Sequence, residues 1–140
     1  MVPDNTVILS FKLTVGRVAI TDGEMVTNEA IAHLKIGDKK RFSTEYLYSY
    51  LREFDYGRLG STSSIATAVN SKSIKALPIL VPTNDLAGHF AVRVGPIFAQ
   101  IEHLQSEAAI LAQLRDTLLP KLISGELPIA DINRFIAKSA

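Results

Sequence analysis

Cysteine is absent from the 140-residue chain, which excludes structural disulfides and any cysteine-ligated zinc. Long apolar runs are missing as well. The stretch Ala76-Leu77-Pro78-Ile79-Leu80-Val81-Pro82 is far shorter than a bilayer needs and is broken by proline. No basic segment leads into an apolar one at the N-terminus, because Asp4 and Asn5 arrive almost at once. The expectation is a cytoplasmic protein with no membrane association. Charge of one sign is also scarce: the net charge is only +1, a poor match to a generic polyanion binder. Residues 1–84 carry ten Lys and Arg against eight Asp and Glu, and residues 85–140 carry five against six. That asymmetry is too small to argue nucleic-acid binding by itself.

Catalytic patterns are equally sparse. His33, His89 and His103 are scattered without a consistent ligand spacing, so no metal is expected. No Walker loop, nucleophile elbow or partnered acid and base is visible. The chain reads as a non-enzyme that needs no cofactor. What it does contain is a globular balance, 47% hydrophobic and 21% charged residues, sufficient for a core without cross-links.

Two kinds of periodicity meet near Pro82. In Thr6 to Phe11, Val7 and Leu9 alternate with Ile8 and Ser10, a strand pattern. Gly16 punctuates the chain before a second short strand, Arg17 to Ile20, and Asp22-Gly23 signals a turn towards Met25-Val26-Thr27. Ala30 to Ile36 suggests a third strand. Ser43 or Thr44 can cap a helix running to Phe54, with Tyr46, Leu47, Tyr50, Leu51 and Phe54 on its core face. A Gly/Ser/Thr loop follows over 57–64. Asn70 or Ser71 then caps a short turn through Lys75, and an extended run leads to Pro82.

Beyond Pro82 the pattern is helical from Asn84 or Asp85. Leu86, Phe90 and Val94 keep one face apolar, and Gly95-Pro96 is expected to kink or break the helix. One heptad assignment from there sets Val94, Ile101, Ala108 and Arg115 at a positions and Ile97, Leu104, Leu111 and Leu118 at d positions. Pro120 and Gly125 are expected to end the region. Asp131 can cap a short terminal helix carrying Ile132, Phe135 and Ile136.

Three ordered segments carry a resemblance. Ser10-Phe11-Lys12-Leu13-Thr14-Val15-Gly16-Arg17-Val18-Ala19-Ile20, followed by Thr27-Asn28-Glu29-Ala30-Ile31, resembles the second half of a target recognition domain of a Type I restriction-modification specificity subunit. Gly60-Ser61-Thr62 through Asn70 to Ile74, then Leu77-Pro78-Ile79 and Pro82, is similar to the run that closes such a domain. Leu114-Arg115-Asp116 through Ser124-Gly125-Glu126-Leu127 is similar to the spacer helix that follows it, and is the most specific of the three. The resemblance implies an α+β fold, in which a partial mixed α/β recognition domain (1–82) precedes a long coiled-coil-forming helix (83–127) and a tail (128–140). It also implies double-stranded DNA, a methyltransferase (modification) subunit and, in the full complex, a restriction subunit as partners. Two recognition domains per subunit, held apart by paired helices, is the family's arrangement. This chain carries one domain-plus-helix unit without a match to the start of the domain.

The residues that would contact DNA are Lys12, Thr14, Gly16, Arg17, Arg58, Ser61, Thr62, Ser63, Ser64 and Lys72. Around Gly16 the backbone can approach a phosphate while Lys12 and Arg17 supply charge. A hairpin turn with solvated basic side chains is the plainer reading. The 60–64 loop offers hydroxyls and amides to phosphates or base edges, or is an ordinary polar loop. Lys35, Lys39, Lys40 and Arg41 read as a solvated face, and Tyr46 and Tyr50 as packing residues rather than base-stacking ones.

Because the family pairs two such helices and only one is present here, a homodimer through Ile97, Ile101, Leu104, Ala108, Leu111, Arg115 and Leu118 is expected. A parallel pair would juxtapose two Arg115 side chains in the seam. An antiparallel pair matches Ile97 with Arg115, Ile101 with Leu111 and Leu104 with Ala108. The function expected is DNA-sequence recognition that positions methyltransferase subunits on a split site. The alternative is a purely structural assembly module.

Overall fold

A computed structural model describes residues 1–12, 14–37, 41–59 and 70–127, with Arg58 by its backbone alone. Lys39, Lys40, Ser61, Thr62, Ser63, Ser64 and the expected terminal helix lie outside the described residues. The fold is α+β. Strands β1 (Val7–Ser10), β2 (Val18–Ile20) and β3 (Ile31–Leu34) form an antiparallel sheet of order β2-β1-β3. They are followed by α1 (Thr44–Glu53), a 3-10 turn (Tyr56–Leu59), α2 (Ser71–Lys75) and the 40-residue α3 (Asn84–Ile123).

The alternation in β1 decides which way the sheet faces. Val7 opposes Ile20 and Leu34, and Leu9 opposes Val18 and Ala32, so one face is wholly apolar. Val7 and Leu9 are fully buried there and join Phe11, Leu47, Leu51, Ile74 and Leu77 in the core. Ile8 instead opposes Ala19 and His33 on the outer face. Asp22-Gly23 turns the chain as the sequence indicates: Gly23 has φ +79°, and Met25 bridges back to Val2.

Ser43 caps α1 by accepting the Tyr46 amide, and Asn70 caps α2 by accepting those of Lys72 and Ser73. Leu47 and Leu51 are the buried residues of α1. Tyr46, Tyr50 and Phe54 lie half-buried beside them. The Tyr46 hydroxyl donates to the Leu80 carbonyl and that of Tyr50 to the Pro78 carbonyl, each at 2.9 Å. The Tyr46 ring also meets Phe90 edge-on at 5.5 Å. The tyrosines thus serve packing.

The chain divides into two compact units, Met1–Pro96 and Ile97–Ala140. Helix α3 excludes a break at Gly95-Pro96 and a stop at Pro120, while Gly125 ends it as the sequence indicates. It passes through Gly95-Pro96 without a break and continues beyond Pro120 to Ile123. Proline's fixed φ is already close to helical, so its cost is one lost amide donor and crowding of the carbonyl four residues back. The helix tolerates that at both places. Its start is fixed by Thr83, whose hydroxyl accepts the Leu86 amide and whose carbonyl accepts that of Ala87. Its end is a turn at Gly125, φ +74°, after which the Leu127 amide reaches back to the Lys121 carbonyl. No helix among the described residues is long and apolar enough to cross a membrane.

Candidate nucleic-acid interface

The β1–β2 connection closes on Ser10. Its amide donates to the Arg17 carbonyl at 2.9 Å, and its carbonyl accepts the Gly16 amide at 3.1 Å. Its hydroxyl donates to the Thr14 carbonyl. Lys12, Thr14, Gly16 and Arg17 are therefore gathered on one short loop, with Thr14 and Arg17 exposed.

Gly16 has φ +89°, and a Cβ there would lie 2.8 Å from Cδ2 of Tyr56. The missing side chain is thus needed for packing against an aromatic ring, whatever else approaches the backbone. That ring is itself fixed. Its hydroxyl donates to the Leu51 carbonyl at 2.8 Å, and Phe54 packs edge-on against it at 5.2 Å. Burial raises the Tyr56 hydroxyl pKa to about 12.

Lys12 is engaged. Its Nζ lies 3.0 Å from Oε1 of Glu29, and this ammonium, by hydrogen bond and charge, holds the Glu29 carboxyl below its ordinary range. The pairing follows from the sheet. Ser10 faces Ile31 in the β1–β3 register, and the Phe11 amide donates to the Ala30 carbonyl at 3.0 Å. The next step along the two chains brings Lys12 opposite Glu29. Asn28 fixes the turn below it by accepting the Ala30 amide through Oδ1 and the Ile31 amide through its carbonyl. Glu29 is absent from the site expected from sequence; finding it required the strand register, which spacing alone does not supply.

Lys72 lies on a separate element, exposed in the first turn of α2. A cleft of about 390 Å³ is lined by Phe11 and Glu29 and by Ser71, Ile74 and Lys75, but by none of the expected contact residues. His33 lines it too and contacts the Thr27 hydroxyl at 2.6 Å. Among the described residues no group of His, Cys, Asp or Glu could hold a metal ion.

On α3 no residue is buried. The expected seam is open: Ile97 is 56% exposed, Ile101 46%, Leu104 53%, Leu111 57% and Leu118 37%. Arg115 chelates its neighbour Asp116 through Nε at 2.8 Å and Nη2 at 2.7 Å. Its charge is partly satisfied outside any helix pair.

The described residues thus comprise a small antiparallel sheet unit and a long helix that carries exposed apolar side chains. Comparison with known proteins agrees with the resemblance carried by the residues. The chain is 27% identical over 130 residues to the specificity subunit of the Type I restriction enzyme HindI of Haemophilus influenzae, a match covering 90% of this chain and 28% of that protein. It is 28% identical over 109 residues to the specificity subunit of the Type I restriction enzyme MjaIX of Methanocaldococcus jannaschii, covering 74% of this chain and 24% of that protein. The chain spans about a quarter of the length of the curated relatives it matches. No family model matches it, and no solved structure matches it. Over most of its length the chain is similar to part of a Type I specificity subunit.

Proposed function

We propose that this chain is a DNA-recognition and assembly piece of a Type I specificity subunit, without catalysis of its own. The observation that carries the reading is the span of the similarity, 90% of the chain in one match, so that sheet unit and long helix align together. In this reading the sheet unit presents Lys12, Thr14, Gly16, Arg17 and Lys72 to double-stranded DNA, with Arg58 and Ser61–Ser64 as further contacts. The helix positions methyltransferase subunits on a split site, and a restriction subunit joins in the full complex. With so few cations available, binding to duplex DNA is weak and salt-sensitive. Each phosphate contact contributes roughly −0.9 to the slope of log K against log salt. Anisotropy titration of a labelled duplex over a salt series tests this. A slope indistinguishable from zero would remove DNA contact from the reading.

The exposed seam favours assembly as well, and would carry the structural alternative alone if DNA contact failed. Two copies of α3 running antiparallel would match Ile97 with Arg115, Ile101 with Leu111, Leu104 with Ala108 and Leu118 with Val94. Each large apolar side chain buried in this way is worth about 1.5–3 kcal/mol, while the Arg115 stem lies along Ile97 with its charge in water. Light scattering should return twice the 15.3 kDa of the single chain, and a Leu104→Lys, Leu111→Lys variant should return the single-chain mass. A monomeric parent would sink the homodimer.

A further inference from the structure

We infer that Glu29 is a built-in competitor for Lys12, so that the candidate DNA-contacting loop is held in a partly neutralised state and any anion binding there must displace a carboxylate. This rests on the DNA-contacting reading above and adds a residue that sets the strength of that contact. Four observations converge on it. The Nζ–Oε1 distance is 3.0 Å. The two residues face each other across the continuation of the β1–β3 register, tied by the Phe11 amide and the Ala30 carbonyl. The turn beneath Glu29 is fixed by two hydrogen bonds to Asn28. Both side chains are open to solvent, 46% exposed for Lys12 and 84% for Glu29.

A pair so exposed contributes little to folding, yet directly opposed cross-strand charges are geometrically well placed to meet. What the pair does change is the electrostatics of its loop. Glu29 cancels the Lys12 charge beside Arg17, which lies on the same loop. A phosphate that draws Lys12 away leaves Glu29 to recruit a cation, offsetting the counterion that the phosphate releases. Lys12 therefore adds almost nothing to the salt slope while Glu29 is ionised, and a full contact once Glu29 is neutral.

The test uses the full 140-residue chain and a short labelled duplex of arbitrary sequence, titrated over a salt series with the parent, Glu29→Gln, Lys12→Gln and the double variant. Circular dichroism checks that each is folded. Glu29→Gln should bind roughly two- to fivefold tighter, the factor at stake in an exposed ion pair, with a slope steeper by about 0.9. Lys12→Gln leaves the Glu29 carboxylate uncompensated beside the phosphate, so it should weaken binding in the parent and should abolish the gain over the parent in the Glu29→Gln background. Parent-like binding by Glu29→Gln overturns the inference while leaving the DNA reading intact. A gain that survives without Lys12 overturns it too, because only bulk charge would then be at work. If no variant binds duplex even at low salt, the DNA reading fails and takes the inference with it.

Discussion

Replacing Gly16 with alanine sets two costs against each other in a way the structure can apportion. The backbone at φ +89° lies in the left-handed region, where a side chain costs about 1–2 kcal/mol. The new methyl would also sit 2.8 Å from Cδ2 and 3.0 Å from Cε2 of Tyr56, well inside the ~3.5–4.0 Å at which carbon atoms rest. Tyr56 cannot swing aside freely, since it would forfeit the bond to the Leu51 carbonyl and the contact with Phe54. Overpacking of this kind costs about 1–3 kcal/mol. Gly23 supplies the control: its φ is +79°, and a Cβ there meets nothing within 4 Å. Gly23→Ala should therefore lose only the backbone term, about 1–2 kcal/mol, and Gly16→Ala about 2–5 kcal/mol in all. All four tyrosines fall in the Met1–Pro96 unit and the chain has no tryptophan. Tyrosine fluorescence in a urea titration therefore reports on that unit alone. Equal losses for the two variants would show that Tyr56 yields without cost and would refute the packing account of Gly16.

Tyr56 also makes an alkaline prediction. Burial lifts its pKa from near 10 to about 12, so it resists ionisation in the folded chain more than in the unfolded one. Its contribution to stability is complete below pH 10 and fades as pH rises towards 12. Absorbance titration should accordingly show phenolate forming near pH 12 in the parent that is missing from Tyr56→Phe, and a difference curve centred near pH 10 would contradict this. In the same unit, Asn70→Ala removes the acceptor for the Lys72 and Ser73 amides and should cost about 1 kcal/mol. Asn70→Ser should recover most of that in the same urea assay, and equal midpoints for all three chains would refute the capping role.

The parts of the fold legible in the sequence were those governed by local rules. Val7 and Leu9 alternate with Ile8 and Ser10, and one pair is buried while the other is not. Ser43 and Asn70 announce helix starts because their side chains satisfy amides no helix can. A break at Pro96 and a stop at Pro120 do not occur, for the converse reason. A local rule counts the lost donor, yet the flanking residues of α3 keep enough hydrogen bonds to carry the helix through. Of the candidate site, Lys12, Thr14, Gly16 and Arg17 lie on one turn because they are close in sequence. The Glu29 partner and the Tyr56 ring lie 17 and 40 residues away in sequence from Lys12 and Gly16, the residues they touch. Only strand pairing and tertiary packing bring them there.

The two tyrosine hydroxyls on α1 have a metric consequence. Tyr46 and Tyr50 are four residues apart on a helix, a rise of ~6 Å, and the carbonyls they hold, Leu80 and Pro78, are two residues apart, a span that extended backbone covers in ~6.6 Å. The two repeats are nearly commensurate, so the helix acts as a vernier against which the strap is read. A slip of one residue would bring Ile79 and Val81 to the hydroxyls and turn Leu80 towards the core in place of Ile79, with the parity of every side chain reversed. A single inserted residue between Ala76 and Leu80 should therefore behave as a frameshift in three dimensions, whereas an insertion of two preserves parity and leaves both clamps a carbonyl to hold.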